Sequence, residues 1–211
     1  MDHSQRRFQW IALQLTGLCI AVFLLSQVFP ELYTLLVLNR DSFISQPWTI
    51  LTSIFMHADF LHLYGNMFAL AVFGSLFERQ AGSRNFLIVF FAGGIISGLA
   101  GMIFYSGLLG ASGAIMAILG CFAIFRPRNT VFVLGVPMPV LAALFVWAGF
   151  DLAGVFYPDN VAHYSHLAGM AFGGIYGLWL GRLYPEPKRK KEKPALSDKE
   201  IEEWEEKYMR Y

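Results

Sequence analysis

Only 16 charged residues, none of them lysine, occur between Met1 and Pro187, whereas residues 188–211 hold the other 15 of the 31 (8 basic, 7 acidic). About a quarter of the residues of a soluble domain are charged, so the first 187 residues lack the means to cover a water-facing surface. With 56% hydrophobic residues overall, the chain is excluded from the disordered and disulfide-scaffold classes, and its surplus apolar surface points to lipid. A net charge of +1 gives no electrostatic footprint for nucleic acid. Cys19 and Cys121 lie inside apolar runs and read as packing residues.

Six apolar stretches emerge, over Phe8–Phe29, Asp59–Phe77, Arg84–Gly107, Gly110–Phe125, Val131–Phe156 and Val161–Leu183. Most are long enough to cross a hydrocarbon core of about 30 Å; the fourth is short, and the fifth is interrupted by Pro137 and Pro139. The first lacks a small-residue cleavage site and is expected to be a retained helix. The sequence therefore predicts an all-α polytopic membrane protein, with a six-helix membrane domain over residues 1–185 and a charged tail over 186–211. The segment Pro30–Met56 is apolar but broken by Pro30, Asn39 and Pro47, and is expected to be a folded loop at the outer interface. In the tail, Ser197 and Glu200 have capping-box spacing, and Ile201, Trp204, Tyr208 and Tyr211 would share a helix face. The tail is expected to be weakly ordered, the alternative being a helix on the membrane surface.

Basic residues set the orientation. Arg6 and Arg7, Arg79 and Arg84, Arg126 and Arg128, and Arg182 with the Lys188–Lys193 cluster all fall on one side, while Asp41, Asp59, Asp151 and Asp159 are assigned to the opposite loops with Arg40 as the only base. Both termini are thus expected in the cytoplasm, and the protein in the cell membrane.

Polar groups inside spans are costly and are functional candidates by default. His62, Asn66, Ser112 and His166 stand out. Ser112 is 14 residues from Arg126, His166 is 16 from Arg182, and Asn66 is 12 from Glu78, which at 1.5 Å per residue gives heights of about 21, 24 and 18 Å, with His62 one turn higher. All four therefore lie roughly 10 Å below the outer edge of the core. A helix beginning at Gly110 must start inside the membrane, with its preceding loop buried in protein or lining a water-filled cavity. That puts Ser112 at a helix N-terminus, where free N–H groups favour an anion. Gly169, Gly173, Gly177 and Gly181 follow His166 at four-residue spacing, and Gly113, Ala117 and Gly120 offer a matching ridge; close approach of the two would bring His166 toward Ser112 as base to nucleophile. Taken singly, a membrane serine is more often a packing residue and a glycine ridge a packing device. The coincidence of four polar groups at one depth favours a site.

At these residues the sequence resembles the rhomboid family of intramembrane serine proteases, over about Gln46–Gly181. The motifs are Gly110-Ala111-Ser112-Gly113, His163-Tyr164-Ser165-His166-Leu167-Ala168-Gly169 with Gly173 following, His57 through His62-Leu63-Tyr64-Gly65-Asn66, and Glu78-Arg79-Gln80-Ala81-Gly82. The resemblance implies a six-helix fold around an outward-opening cavity and a Ser112–His166 dyad. It implies an oxyanion hole from His62, Asn66 and the Ser112 N–H, and a gate at the fifth span. It implies no third acidic residue, and none is expected inside the spans. Two positions depart from the family pattern: Trp48-Thr49 replaces the frequent Trp-Arg, which is expected to loosen the first loop, and Met116 stands where many members stack an aromatic residue on the histidine. His163 is expected to support packing near His166. The implied partners are transmembrane protein substrates and membrane lipid; no cofactor or metal is expected, and no signal for oligomeric state is present. The competing readings are a catalytically silent binder of transmembrane clients, and a metal site using His57, His62, His163 and His166; the latter ranks last because no acidic residue is expected beside them.

Overall fold

The computed structural model describes residues 8–133, 135–157, 159, 161–185 and 197–209. Arg6, Arg7, the Lys188–Lys193 cluster and Tyr211 lie outside the described residues. Three helices are long and apolar enough to cross a membrane: α1 (Ile11–Val28), α2 (Phe60–Ala81) and α3 (Ser83–Gly101). Two shorter apolar helices follow, α4 (Ser112–Phe125) and α5 (Val140–Gly154). The sixth, α6 (His163–Leu183), has 21 residues, a length of about 31 Å. This is the helical membrane bundle expected, with corrections at several ends.

The third apolar stretch is helical only to Gly101; beyond it Gly107–Leu108 (β2) pairs antiparallel with Leu38–Asn39 (β1). The fifth stretch begins as a hairpin, Thr130–Val133 (β3) against Val136–Pro139 (β4), turned by Gly135 at φ 82°. Helix α5 starts only after Pro139, because the fixed ring of proline cannot donate to a helical ladder and is tolerated at an edge or a helix entry. In the tail, α7 (Asp198–Tyr208) forms with the complete Ser197–Glu200 capping box expected from the spacing. Ile201, Trp204 and Tyr208 are exposed on it.

Helix α4 occupies the centre: 11 of its 14 residues are buried, against 4 of 18 in α1. In lipid, helix association depends on van der Waals contact between close backbones rather than on expelling water, and the glycines provide it. A Cβ added to Gly169 would run into the carbonyl oxygen of Gly113, and one on Gly173 into that of Ala117; one on Gly177 would lie 2.6 Å from that of Cys121. The indices rise together, so α4 and α6 run parallel, backbone on backbone. Gly181 faces open space and is not part of this ridge. From the other side Gly113 faces Ser97 of α3, whose hydroxyl donates to Ser165 O at 2.7 Å.

Polar clips close the far end of the bundle. Buried Glu78 accepts the N–H groups of Gln9, Ile11 and Ala12 and the Ser83 hydroxyl, capping the start of α1 where the helix dipole favours an anion. Gly82 (φ 85°) makes the turn into α3. Arg126 donates to Phe125 O and Tyr184 O, joining the last turn of α4 to the end of α6. The first loop is also tied down despite Thr49 in place of arginine. Trp48 Nε1 donates to Leu35 O at 2.9 Å, Thr52 Oγ1 to Leu36 O at 2.8 Å and Tyr33 OH to His57 O at 2.8 Å.

Candidate active site

Ser112 is the first residue of α4, and the Ala111 carbonyl already accepts from Ile115 N–H. The leading N–H groups of the helix have no intrahelical partner. Gly110 sits at φ 112°, a left-handed backbone that glycine adopts without penalty, and its N–H donates to Ser53 O at 2.9 Å. The first loop and the β1–β2 pair thereby fix where α4 begins. The same glycine marks how close the polar groups come: a Cβ there would lie 2.8 Å from His62 Nε2 and 3.9 Å from Ser112 Oγ.

His62 and Asn66 are one turn apart on α2, which starts where the Asp59 side chain accepts His62 N–H at 2.8 Å. Asn66 Nδ2 donates back to His62 O at 2.8 Å; a primary amide has two N–H donors, so one remains. His62, Asn66, Ser112 and Met116 line a cavity of about 270 Å³ that is otherwise apolar and walled by Trp147 of α5. The cavity lies between α2 and α4, with α5 contributing Trp147.

His166, 7% exposed, sits three residues before Gly169, whose backbone meets Gly113. In this register His166 lies two residues, about 3 Å, from the level of Ser112 along the α4–α6 contact. No hydrogen bond joins their side chains; catalytic hydrogen bonds often tighten only once substrate is bound.

The site contains an acid where none was expected. Asp151, assigned from the sequence to an outer loop, is in the last turn of α5 and 4% exposed. Its Oδ1 lies 2.8 Å from Nδ1 of His166 and 2.8 Å from Nδ1 of His163. His163 Nε2 lies in turn 3.0 Å from Asp159 Oδ1. His163 packs edge to face with His166 and is also the middle of a hydrogen-bonded chain. Asp159 lies in the loop between α5 and α6, where the Val161 N–H and the His163 ring hold its carboxyl below the ordinary carboxylate range. The sequence signal was present: an acid within an apolar helix is a candidate by default.

Asp151, His163 and His166 also bring three donor atoms within 4.8 Å of one another. Imidazole and carboxylate suit zinc, and contrary to expectation an acid does stand beside these histidines. However, Asp151 Oδ1 is at hydrogen-bond distance from both rings, an arrangement already satisfied by protons. His57 and His62 form a separate pair, edge to face at 5.1 Å between ring centroids.

A family model described as the Rhomboid domain matches residues 45–183, well over half of the chain.

The chain belongs to the rhomboid family.

Among relatives, it is 29% identical over 191 residues to Rhomboid protein 1, mitochondrial, of Saccharomyces cerevisiae, covering 84% of this chain and 55% of the relative. It is 30% identical over 148 residues to Rhomboid protease GluP of Bacillus subtilis, covering 68% of this chain and 28% of that one. It is 27% identical over 176 residues to Rhomboid protease GlpG of Serratia proteamaculans, covering 80% and 62%. The chain thus spans between about a quarter and just over three fifths of the length of these relatives. The rhomboid match includes α2 through α6, and with them His62, Asn66, Ser112, Asp151 and His166; α1 lies outside it.

Proposed function

We propose that this rhomboid chain is an intramembrane serine endopeptidase that cleaves transmembrane segments of other membrane proteins with a Ser112–His166 pair. The observation that carries the reading is Ser112 at the buried start of α4, sharing the space around Gly110 with His62 and opening on the same cavity as Asn66.

A substrate segment enters between α2 and α5 and unwinds locally to offer a carbonyl. Ser112 Oγ attacks the carbonyl carbon, its proton passing to Nε2 of His166, while the carbonyl π pair moves onto oxygen. The oxyanion is held by the His62 ring, the free Asn66 N–H and the Ser112 backbone N–H. His166 then gives the proton to the departing amine, leaving an acyl-serine. Water entering the cavity repeats the sequence with His166 as base, releasing the carboxylate product and restoring Ser112. Gly113, Gly169 and Gly173 keep the two helices close enough for this, and Met116 packs beside the site.

The same reading puts the protein in the cell membrane with both termini cytoplasmic, residues 1–185 forming the membrane domain and 186–211 the tail. Membrane lipid surrounds the first part.

Purified protein in detergent is expected to cut a model transmembrane substrate, and Ser112→Ala to be inactive. A serine-directed probe should label Ser112, and His166→Ala should abolish the labelling. Undiminished cleavage by Ser112→Ala would overturn the mechanism, and labelling that persists without His166 would overturn the base assignment. Activity lost to chelator and restored by zinc would favour a metal site instead.

A further inference from the structure

We propose that Asp151 is the positioning residue of His166: it fixes the imidazole in its Nδ1–H tautomer, as one link in a chain that runs through His163 to Asp159. The proposal rests on His166 being the base of the reading above.

A carboxylate can only accept hydrogen bonds. With Oδ1 of Asp151 at 2.8 Å from the Nδ1 atoms of both His166 and His163, both nitrogens carry protons. For a neutral His166 this leaves the lone pair on Nε2, the nitrogen that must take the Ser112 proton. Without such a partner the two tautomers of an imidazole compete, and one of them presents N–H to the nucleophile. His163 uses its second nitrogen on Asp159 Oδ1, so the chain continues into the loop before α6. When His166 takes the proton from Ser112, the carboxylate of Asp151 faces the charge that forms on the ring, so the arrangement favours the charge distribution that develops in the reaction.

Two further observations separate this from incidental contact. Among the described residues, Asp151 Oδ2 is buried with no hydrogen-bond partner, so the two histidines are the side chain's only hydrogen-bonding partners. Three residues on, Gly154 lies against the His163 ring so closely that any Cβ there would overlap it. The last turn of α5 is thus shaped on both counts to receive these rings.

The test is made on the full chain in detergent. The groups facing His166 are Asp151 from α5, His163 on its own helix, Asp159 in the preceding loop and His62 from α2. Asp151→Asn keeps the shape and removes the charge. It is expected to lower kcat by roughly 10- to 10⁴-fold with KM changed by less than about threefold. Nitrogen-15 NMR of the histidines should show His166 as the Nδ1–H tautomer in the natural protein, and a mixed or Nε2–H population in Asp151→Asn. Gly154→Ala, which leaves Asp151 and His166 in place, is expected to displace His163 and to lower kcat by a smaller factor. Asp151→Asn with an unchanged His166 tautomer, or a natural protein in which His166 is predominantly Nε2–H, would overturn the proposal. Full activity in Ser112→Ala would instead overturn the protease reading, and the NMR measurement would still decide the role of Asp151.

Discussion

Replacing Gly110 by alanine is expected to slow cleavage through His62. The added Cβ would lie 2.8 Å from His62 Nε2, about 0.7 Å inside an ordinary van der Waals separation of roughly 3.5 Å. Either the ring or the loop must yield by that amount. An oxyanion donor works at about 2.7–3.1 Å, so a displacement of this size takes the ring out of range. Complete removal of one such donor lowers kcat by about 10²–10³; a donor displaced but present should lose less, about 10- to 100-fold, or roughly 1.4–2.7 kcal/mol of barrier. Independently, forcing a side chain onto φ 112° strains the backbone by about 1–3 kcal/mol, which appears as a lower Tm in any background. The assay is a double-mutant cycle on kcat with a fixed transmembrane substrate. Gly110→Ala should slow the natural protein strongly but slow His62→Ala by less than about threefold, since the ring it strikes is gone. If Gly110→Ala slows both equally, the effect does not pass through His62 and the geometric reasoning is wrong.

Three other outcomes are expected. Gly177→Ala, whose Cβ would lie 2.6 Å from Cys121 O, should lower stability by about 1–3 kcal/mol through overpacking; a Tm in detergent equal to that of the natural protein would refute it. Glu78→Gln should be destabilised by about 1.5–3 kcal/mol, because its amide nitrogen would face N–H donors at the start of α1, and denaturant unfolding measures this. In the tail, the Ser197 N–H and hydroxyl hold Glu200 below the ordinary range of glutamate. Its contribution to α7 is therefore present above that range and lost as pH falls through the lowered value. Residue-resolved NMR shifts of 198–208, followed in the full chain from about pH 6 to about pH 3, should show fraying on acidification, and a helix unchanged at the acid end would refute the capping role.

Much of the fold was legible because the length and apolarity of the spans need no tertiary information. The start of α4 inside the bundle followed from the length of one apolar run, and the glycine ridge from its four-residue spacing. The β3–β4 hairpin was not legible: Val131–Val133 and Val136 are apolar whether they form a strand or a span, and periodicity cannot separate the two over so few residues. Asp151 was missed for a different reason. An acid near the end of an apolar run reads as readily as a topological charge as it does as a site residue. What it touches depends on the phase of α5 and on a 12- to 15-residue reach across a loop to His163 and His166. Neither is written in local pattern. The conflict between a costly acid and an apolar helix was the visible sign.

Glu78 bears on biogenesis. The N–H groups at the head of α1 find their carboxylate 66 to 69 residues further along the chain. At synthesis rates of about 5–20 residues per second, the first helix leaves the ribosome roughly 3–14 s before its anchor exists. During that interval α1 can be held in the bilayer only by its own apolar length. The cap is complete only once the last turn of α2 exists, and a truncation before Glu78 leaves the head of α1 without it.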